Sequence, residues 1–413
     1  MNSLVPAAAA FALFAAFVSV GFAIQFLRRF RVPASAPRAA VTVILPATGP
    51  LPGLDGLIAD LKRQSLPPRR LIVAVEAKTD PAYERVRAVQ ATTVLPTIDL
   101  VVAGQTASSG QKCANIVAAL NALGPEDEYV LLIDADIRPQ PWYVASLIEG
   151  LAAGGPDLVN GYRWLTPTRP TLFAALVAAL DRRIGVLPRP PATKLIWGGS
   201  IAVTARALAA LDLPSTLAGQ ILDDLPIGSR ASAVGLRVWA RQAARAPTPL
   251  EPEPRRLVAF ARRQLQYLKL YRPALWSAAV LIAIADLCAR LLLIAAAAAQ
   301  APQAGAALAT LIALAALDWL SAELRLYASR RLGVVDTRAF RFFTRLFALT
   351  LLPLPLLWTG LLCASFFASR IAWAHIRYTV DKTGRVLRVQ RDAPTASAES
   401  EAAGNCLYPA ESS

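Results

Sequence analysis

The stretch Val130-Leu-Leu-Ile-Asp134-Ala-Asp136-Ile-Arg-Pro139 decides how the chain folds, because an apolar run stops there at two carboxylates. β-Favouring apolar residues bounded by polar ones predict a strand that is buried on both faces. Ligands of open α/β sheets bind outside the carboxyl ends of such strands, where two carboxylates can share a hard divalent cation with phosphate oxygens. The stretch therefore favours a nucleotide-diphosphate site. The alternative is an ordinary acidic turn, for which Asp is well suited.

The composition places part of the chain in lipid. Of 413 residues, 55% are hydrophobic and only 17% are charged, and the mean hydropathy is +0.44. This composition is too apolar for an ordinary soluble enzyme. The formal net charge of +15 suits an anionic membrane surface and phosphorylated substrates. Nucleic acid is the competing partner for so basic a chain, but the long apolar segments and the lack of any nucleic-acid-binding signature predict no such partner.

The cysteines and the single histidine exclude several kinds of site. The four cysteines form no Cys-x-x-Cys pair, so neither a zinc site nor a disulfide framework is indicated. Because His375 is the only histidine, His-based catalytic triads and multi-histidine metal sites are excluded. Acid–base chemistry must therefore rest on carboxylates.

Residues 1–30 form a predicted transmembrane anchor. No charged residue precedes Arg28, and Arg29 and Arg31 follow it at once. The apolar part is long enough to cross a bilayer. A secretory signal carries its positive charge before the apolar core, so the segment is interpreted as a retained anchor. The positive-inside rule then puts the amino terminus outside and the chain from Arg28 onwards in the cytoplasm. With the apolar segments further along the chain, the prediction is a multi-pass protein of the inner (plasma) membrane whose catalytic domain is cytoplasmic.

Residues 40–250 are predicted to form that catalytic domain. Helical patterns alternate with apolar runs that predict strands near 41–45, 71–75, 99–102 and 129–133. This alternation predicts a parallel, doubly wound sheet, whose strands deliver polar residues to one edge. The residues expected to meet at that edge are Asp80, Lys112, Asp134 and Asp136.

Past residue 250 the chain is predicted to return to the membrane. Residues 251–273 form a basic juxtamembrane segment at the headgroup level. Residues 274–370 are predicted to hold transmembrane, interfacial and re-entrant helices, with apolar segments at 275–298, 304–325 and 346–369.

The last apolar segment decides on which side of the membrane the tail lies. It follows a stretch in which arginines and phenylalanines occupy opposite helical faces, which predicts an interfacial amphipathic helix. A break at Pro353 and Pro355 would make the segment re-entrant. The basic tail, residues 371–413, would then stay in the cytoplasm, and its end after about residue 392 is predicted to be disordered.

Five motifs between about residues 40 and 280 carry a family resemblance. They are Glu-Ala-Lys-Thr-Asp80-Pro81, Lys112-Cys-Ala-Asn115, Asp134-Ala-Asp136, Leu222-Asp223-Asp224 and Arg263-Gln-Leu-Gln266-Tyr267. In these motifs the chain resembles the membrane-bound family-2 type glycosyltransferases, and it is most similar to the ceramide glucosyltransferase branch and its bacterial relatives. The last motif departs from the family pattern, which has Arg and Trp where this chain has Gln266 and Tyr267.

The resemblance implies an α/β, GT-A-type (Rossmann-like) nucleotide-sugar transferase domain with flanking transmembrane and interfacial helices. It implies that the donor is bound by Asp80, Lys112, Asp134, Arg263, Gln266 and Tyr267. It implies that Asp136, together with Asp134, binds Mg²⁺ or Mn²⁺. The implied catalytic residues are Asp224 as the base and Asp223 beside it, and the implied contacts to acceptor or sugar are Trp197, Gly198 and Gly199.

Several of these side chains also have a purely structural alternative. Asp80 before Pro81 is a typical turn residue, and a lysine such as Lys112 is usually solvated. Asp223 and Asp224 suit the amino terminus of a helix.

The resulting functional prediction is inverting transfer of a sugar from a UDP-sugar, such as UDP-glucose, to a hydroxyl of a membrane lipid such as ceramide. One alternative is a processive or polyprenyl-phosphate-directed polysaccharide glycosyltransferase. An alternative of another class is a non-catalytic membrane scaffold or lipid transporter that keeps a degenerate transferase fold.

Overall fold

A mixed sheet of seven strands lies at the centre of the chain, whose computed structural model describes residues 3–299, 302–366 and 370–391. The strands are β1 (Val41–Pro46), β2 (Arg70–Val75), β3 (Thr97–Val102), β4 (Tyr129–Ile133), β5 (Leu158–Pro167), β6 (Ser200–Thr204) and β7 (Val238–Leu250). Their order across the sheet is β3-β2-β1-β4-β6-β5-β7. The α/β fold class predicted from the sequence is confirmed.

The first four strands are parallel, as their alternation with helices predicts. Val43 of β1 lies opposite Leu71 of β2 and Leu131 of β4. The chain adds β2 and then β3 on one side of β1, and it then crosses back to add β4 on the other side. The strand order therefore reverses at the boundary between β1 and β4 in the sheet. Open α/β sheets bind ligands at such a switch point, outside the carboxyl ends of the strands.

The strand β6 departs from the predicted parallel arrangement, since it runs antiparallel to both β4 and β5. Its first residue, Ser200, lies opposite Ile133, the last residue of β4. The residues that precede β6 therefore lie at the same edge of the sheet as the residues that follow β4. This reversal brings 197–199 to the ligand edge.

Helices cover both faces of the sheet and account for its continuous apolar runs. On one face Leu131 packs in a core with Leu57 and Val144, and on the other Leu132 packs with Ile116. The helices of the domain are α2 (Leu54–Lys62), α3 (Pro81–Gln90), α4 (Gln111–Leu120), α5 (Tyr143–Ala152), α6 (Leu172–Gly185), α7 (Ala205–Leu211), α8 (Leu213–Leu217) and α9 (Asp224–Ala233), after α1 (Leu4–Arg29), with a 3₁₀ turn at Pro191–Thr193.

Among the described residues, three helices are long and apolar enough to cross a membrane. They are α1 and two helices, α11 (Pro273–Ala298) and α12 (Ala304–Arg331), that follow the amphipathic α10 (Pro254–Tyr271). The remaining apolar part is divided into α13 (Arg338–Thr350) and α14 (Pro353–Phe366), which meet at an angle of 87°. The helix breaks at Leu351, two residues before Pro353, which begins α14. Leu351 has a positive φ of 63°.

The described part of the tail forms a small antiparallel sheet that the sequence analysis does not predict. Its strands are β8 (Arg370–Trp373), β9 (Ile376–Val380) and β10 (Val386–Arg391), in the order β10-β9-β8. Its apolar face packs in a cluster with Ile221, Leu225 and Tyr267 of the preceding domain. The predicted disordered end of the tail lies outside the described residues.

This packing decides the side of the membrane on which the tail lies relative to the domain. The hydroxyl of Tyr378 accepts a hydrogen bond from the backbone N–H of Gln111, and Arg391 donates to the carbonyl of Thr106. Direct contact requires that the tail sheet and the α/β domain share one side of any bilayer. The chain is therefore on the side of the α/β domain after α14, where the tail sheet begins.

Candidate active site

A cavity of about 430 Å³ opens at the carboxyl ends of β1 and β4. Its walls include the residues after β1, the start of α4, the residues after β4, the residues before α9 and one side of α10. The residues expected at the site that line it are Lys112, Asp134, Asp136, Trp197, Gly198, Asp223, Asp224, Arg263 and Tyr267.

Lys112 forms the electrostatic centre of the cavity. Its Nζ atom lies 2.8 Å from Oδ1 of Asp134 and 3.2 Å from Oδ1 of Asp223. Burial alone would lower the pKa of Lys112, but these two carboxylates outweigh it and raise the pKa well above its ordinary value. The structure thus pairs Lys112 with two protein carboxylates, whereas the sequence predicts a contact with a diphosphate.

Asp136 is exposed where it lines the cavity, whereas Asp134 is half-buried beside Lys112. Protein atoms nevertheless crowd around it. This desolvation, followed by repulsion from Asp134, raises the pKa of Asp136 to about 6. A nearby cation would relieve that repulsion.

The donor set fits a hard divalent cation that is completed by substrate. Carboxylate oxygens are the ligands that Mg²⁺ and Mn²⁺ prefer, and Mg²⁺ is commonly held by one or two carboxylates together with substrate phosphates and water. Within the described residues, no group of three or more His, Cys, Asp or Glu side chains could hold a metal by itself. Asp136 and Asp134 are therefore suited to a metal that arrives with a phosphorylated ligand.

The acidic pair before α9 contains one enclosed and one accessible carboxylate. Asp223 is fully buried, whereas the half-buried Asp224 begins the helix. Asp224 accepts hydrogen bonds from the backbone N–H groups of Gly198, at 3.1 Å, and Leu225, at 2.7 Å. Burial, then repulsion from Asp223, raises the pKa of Asp224 to about 7. The helix start foreseen as an alternative is present, and the same geometry suits a general base.

Gly198 and Gly199 leave room for the carboxylates around them. A Cβ atom at position 198 would meet the carboxylate of Asp223, with Oδ1 at 2.8 Å. A Cβ atom at position 199 would collide with Oδ2 of Asp134 and with the ring of Trp197. Trp197 is itself nearly buried and packs edge-on against Tyr162, with ring centroids 5.5 Å apart. The glycines thus allow both acidic motifs to approach one backbone segment.

Asp80 lies beside the cavity and is engaged by backbone and hydroxyl groups. It caps α3 by accepting a hydrogen bond from Ala82 N at 2.8 Å. It also accepts from Gly49 N at 2.8 Å and from the hydroxyl of Thr48 at 2.6 Å. Since Thr48 lines the cavity, Asp80 fixes the loop after β1. Its direct contact with a nucleotide remains a prediction.

The motif from Arg263 to Tyr267, which lies in α10, is divided between the cavity and the protein interior. Arg263 and Tyr267 line the cavity, and burial raises the pKa of Tyr267 to about 12. Gln264 lines it as well. Gln266 is not among the lining residues, although a donor contact is predicted for it, and its buried Nε2 atom has no hydrogen-bond partner among the described residues. Helical geometry explains the difference, because neighbouring positions of a helix face different directions.

Arg163 is a cavity residue that the sequence reasoning missed. Its Nε atom donates to Asp181 at 2.8 Å, and its guanidinium lies 4.7 Å from the ring centroid of Phe260. The available signal was a charged residue inside the mostly apolar run 158–165, where a buried charge requires a partner.

The sheet and its acidic cavity at the carboxyl ends of parallel strands define an α/β enzyme of the GT-A type. A family model described as glycosyl transferase family 21 matches residues 7–386. The chain therefore belongs to glycosyl transferase family 21 and is a glycosyltransferase.

Two solved structures to which the chain is similar bind nucleotide sugars. The mannosyltransferase PcManGT from Pyrobaculum calidifontis, in complex with GDP-Man and Mn²⁺, is 20% identical with a TM-score of 0.49, over 84% of this chain and 98% of that chain. Glucosyl-3-phosphoglycerate synthase from Mycobacterium tuberculosis, in complex with Mn²⁺ and UDP-glucose, is 20% identical with a TM-score of 0.35, over 56% of this chain and 78% of that chain. None of the curated proteins matches the chain.

Proposed function

We propose that the protein transfers a sugar, with inversion, from a UDP-sugar such as UDP-glucose to a hydroxyl of a membrane lipid, ceramide being the first candidate. One observation carries this proposal. A single cavity is lined by the acidic residue Asp136, by the half-buried Asp224 and by the side of α10, the helix that leads into the apolar helices. Donor, acceptor and base can therefore meet in one place.

Asp136 and Asp134 would hold Mg²⁺ or Mn²⁺ on the donor side. Such an ion supplies charge neutralisation to the departing nucleotide diphosphate. Arg163 and Arg263 also line the cavity and add positive charge within reach of a phosphorylated donor. Lys112 keeps Asp134 and Asp223 close together, so that the donor side and the base side form one unit.

Asp224 would act as the general base. A pKa of about 7 leaves a substantial fraction ionised at neutral pH and still gives a driving force for accepting a proton. The acceptor oxygen forms its bond to the anomeric carbon while the bond to the diphosphate breaks, and the acceptor proton passes to Asp224. A single displacement of this kind inverts the anomeric centre, since attack and departure occur on opposite faces of the sugar.

A lipid acceptor is supported by the apolar side of the cavity. Leu165, Leu250, Leu257 and Phe260 line it and pack in one hydrophobic cluster. That cluster continues into the helices of the apolar half, through Trp276 of α11, Leu326 of α12, Phe347 of α13 and Leu361 of α14. An acyl or sphingoid chain could therefore follow apolar surface from the bilayer to the reaction site.

The orientation proposed for the protein has the α/β domain and tail in the cytoplasm, at the inner (plasma) membrane. Arg28, Arg29 and Arg31 lie at the end of α1 that enters the domain, and Arg330 and Arg331 lie at the end of α12. Positive charge at these ends favours the cytoplasmic side.

The test is transfer from radiolabelled UDP-glucose by the full-length protein in detergent, with Mn²⁺ or Mg²⁺ and with ceramide or diacylglycerol as acceptor. Labelled lipid that disappears on chelation supports the proposal. Labelled polymer would assign a polysaccharide synthase instead, and absence of nucleotide binding would favour a non-catalytic scaffold. Asp136→Ala should abolish metal-dependent donor binding, and intact binding in that variant would refute the metal assignment.

A further inference from the structure

The tail sheet forms one wall of the cavity. Trp373 ends β8, and the tight turn after it leads into β9. Trp373, Ala374 and Tyr378 all line the cavity. Ala374 has a φ of 50°, in the left-handed region that residues with a Cβ atom rarely adopt. Strained backbone of this kind persists where the surroundings hold it in place, and it is concentrated at ligand sites.

Three polar anchors of this wall lie on the half of the sheet that contains β2 and β3, while a further contact reaches α10, where Arg263 donates to the carbonyl of Ala372 at 2.9 Å. The Nε2 atom of His375 lies 2.9 Å from Oε1 of Glu76, the buried residue that directly follows β2. The second oxygen of Glu76 lies 3.5 Å from Nε of Arg391. The hydroxyl of Tyr378 accepts a hydrogen bond of 3.0 Å from Gln111 N, at the start of α4, the helix that follows β3.

The position of these anchors indicates what the wall faces. The acidic motif after β4 is the proposed place for a metal and diphosphate, and the strand order β3-β2-β1-β4 puts the residues after β2 and β3 on the β1 side of that motif. In an α/β domain that binds a nucleotide at its switch point, this is the half available to the nucleoside. The tail sheet therefore borders the space where the base and ribose would lie.

Trp373 has the chemistry that a base requires. Its side chain is half-buried and borders the cavity. Its packed side belongs to the cluster that contains Tyr378 and Ile376, so the ring is held from behind. An indole face of this kind stacks on any nucleobase.

We propose that the carboxyl-terminal sheet is the nucleoside wall of the donor site, with Trp373 as the surface on which the base stacks. Glu76 is the positioning residue of this wall, because its buried carboxylate holds the turn through His375 and faces Arg391. This inference rests on the proposed use of a nucleoside diphosphate donor. The tail would then contribute to donor binding in addition to packing against the α/β domain.

The experiment compares binding of UDP and of pyrophosphate, each with Mn²⁺, to the full-length protein in detergent by calorimetry. Loss of one stacked ring should weaken UDP binding by about 5- to 100-fold in Trp373→Ala, while pyrophosphate binding stays within about twofold. Trp373→Phe should retain most of the UDP affinity. Trp239→Ala is the matched control, because Trp239 is 48% exposed and lies outside the cavity lining.

A second variant, Glu76→Gln, tests whether Glu76 holds the turn after Trp373 in place. Glu76→Gln keeps one hydrogen bond to His375 but loses the charge, so the KM for the UDP-sugar should rise several-fold with kcat nearly constant. Hydrogen exchange of 370–391 should be faster in this variant than in the wild-type protein.

The outcomes separate the two proposals. If the wild-type protein does not bind UDP, the proposed function fails and this inference fails with it. If the wild-type protein binds UDP and Trp373→Ala binds it equally well, the nucleoside wall alone is wrong. An equal loss of UDP and pyrophosphate binding in folded Trp373→Ala would also overturn it, since that result assigns the ring a general packing role.

Discussion

The Nζ atom of Lys112 lies 3.2 Å from Oδ1 of the fully buried Asp223. The same ammonium lies 2.8 Å from Asp134, so one cation joins the acidic motif after β4 to the acidic motif before α9. Burying carboxylates is unfavourable unless they are paired, and Lys112 supplies the charge that makes this cluster tolerable.

Lys112→Met is expected to lower stability strongly, because it leaves the fully buried carboxylate of Asp223 without its cation. Removal of one member of a buried ion pair costs about 3–5 kcal/mol. The measurement is the thermal midpoint in detergent, made in the wild-type background and in Asp223→Asn. The loss should be smaller in the Asp223→Asn background, and equal losses in both backgrounds would show that Lys112 and Asp223 are not coupled.

Asp224→Asn is expected to lower kcat for sugar transfer by about 10²- to 10⁴-fold, since it removes the group that takes the acceptor proton. Binding of UDP with Mn²⁺ should be unchanged, because the donor-side carboxylates remain. Transfer at the wild-type rate in this variant would show that another group is the base. The matched comparison is Asp136→Ala, which should lose donor binding as well.

The pH dependence of transfer should report the raised pKa of Asp224. Below about pH 7 the base becomes protonated, so kcat at saturating substrates is expected to fall as the pH is lowered. A flat profile between pH 5.5 and pH 8, a window of about one pH unit or more on each side of that value, would contradict this assignment.

The same pKa has an opposite consequence for stability. A carboxyl group whose pKa is higher in the folded state than its ordinary value of about 4 favours folding at low pH, and this contribution is lost as the pH rises to about 7. Asp224→Asn, which cannot ionise, should therefore raise the thermal midpoint relative to the wild-type protein more at pH 8 than at pH 5. A gain that is independent of pH would contradict this linkage.

Gly198→Ala is expected to reduce both stability and activity, because the new methyl group would meet the carboxylate of Asp223. Overpacking of this kind typically costs about 1–3 kcal/mol. Gly360→Ala in α14 is the control, since nothing lies within 4 Å of a Cβ atom there. The thermal midpoint should fall in the first variant and stay constant or rise in the second.

The shared side of the domain and tail can be tested by cysteine labelling in a background from which the natural cysteines have been removed. Single cysteines at Val94, which is 84% exposed, and at Leu387, which is 66% exposed, should react with an impermeant maleimide from the same face of sealed vesicles. A cysteine at Pro302, between α11 and α12, should react from the opposite face. Labelling of Leu387 and Val94 from opposite faces would show that α13 and α14 together cross the membrane.

Local pattern was sufficient for the parts of the fold that depend on local properties. The apolar run 130–133 is a strand buried on both faces, and its two carboxylates line the ligand cavity. The long apolar segments could be predicted as helices, because the length and hydropathy of a segment are read directly from contiguous residues. The α10 motif was less predictable, since the placement of Gln266 and Gln264 depends on how the helix is rotated against the domain.

The sequence by itself thus determined the α/β class, the order of the acidic motifs and the apolar helices, because strand burial and span length are properties of contiguous residues. Only the tertiary structure decided that β6 is reversed, that Lys112 faces two carboxylates and that the tail sheet closes the cavity beside Glu76. These relationships join residues far apart in the chain. Their energies depend on which charges and surfaces packing brings within a few ångströms, and no local pattern specifies that.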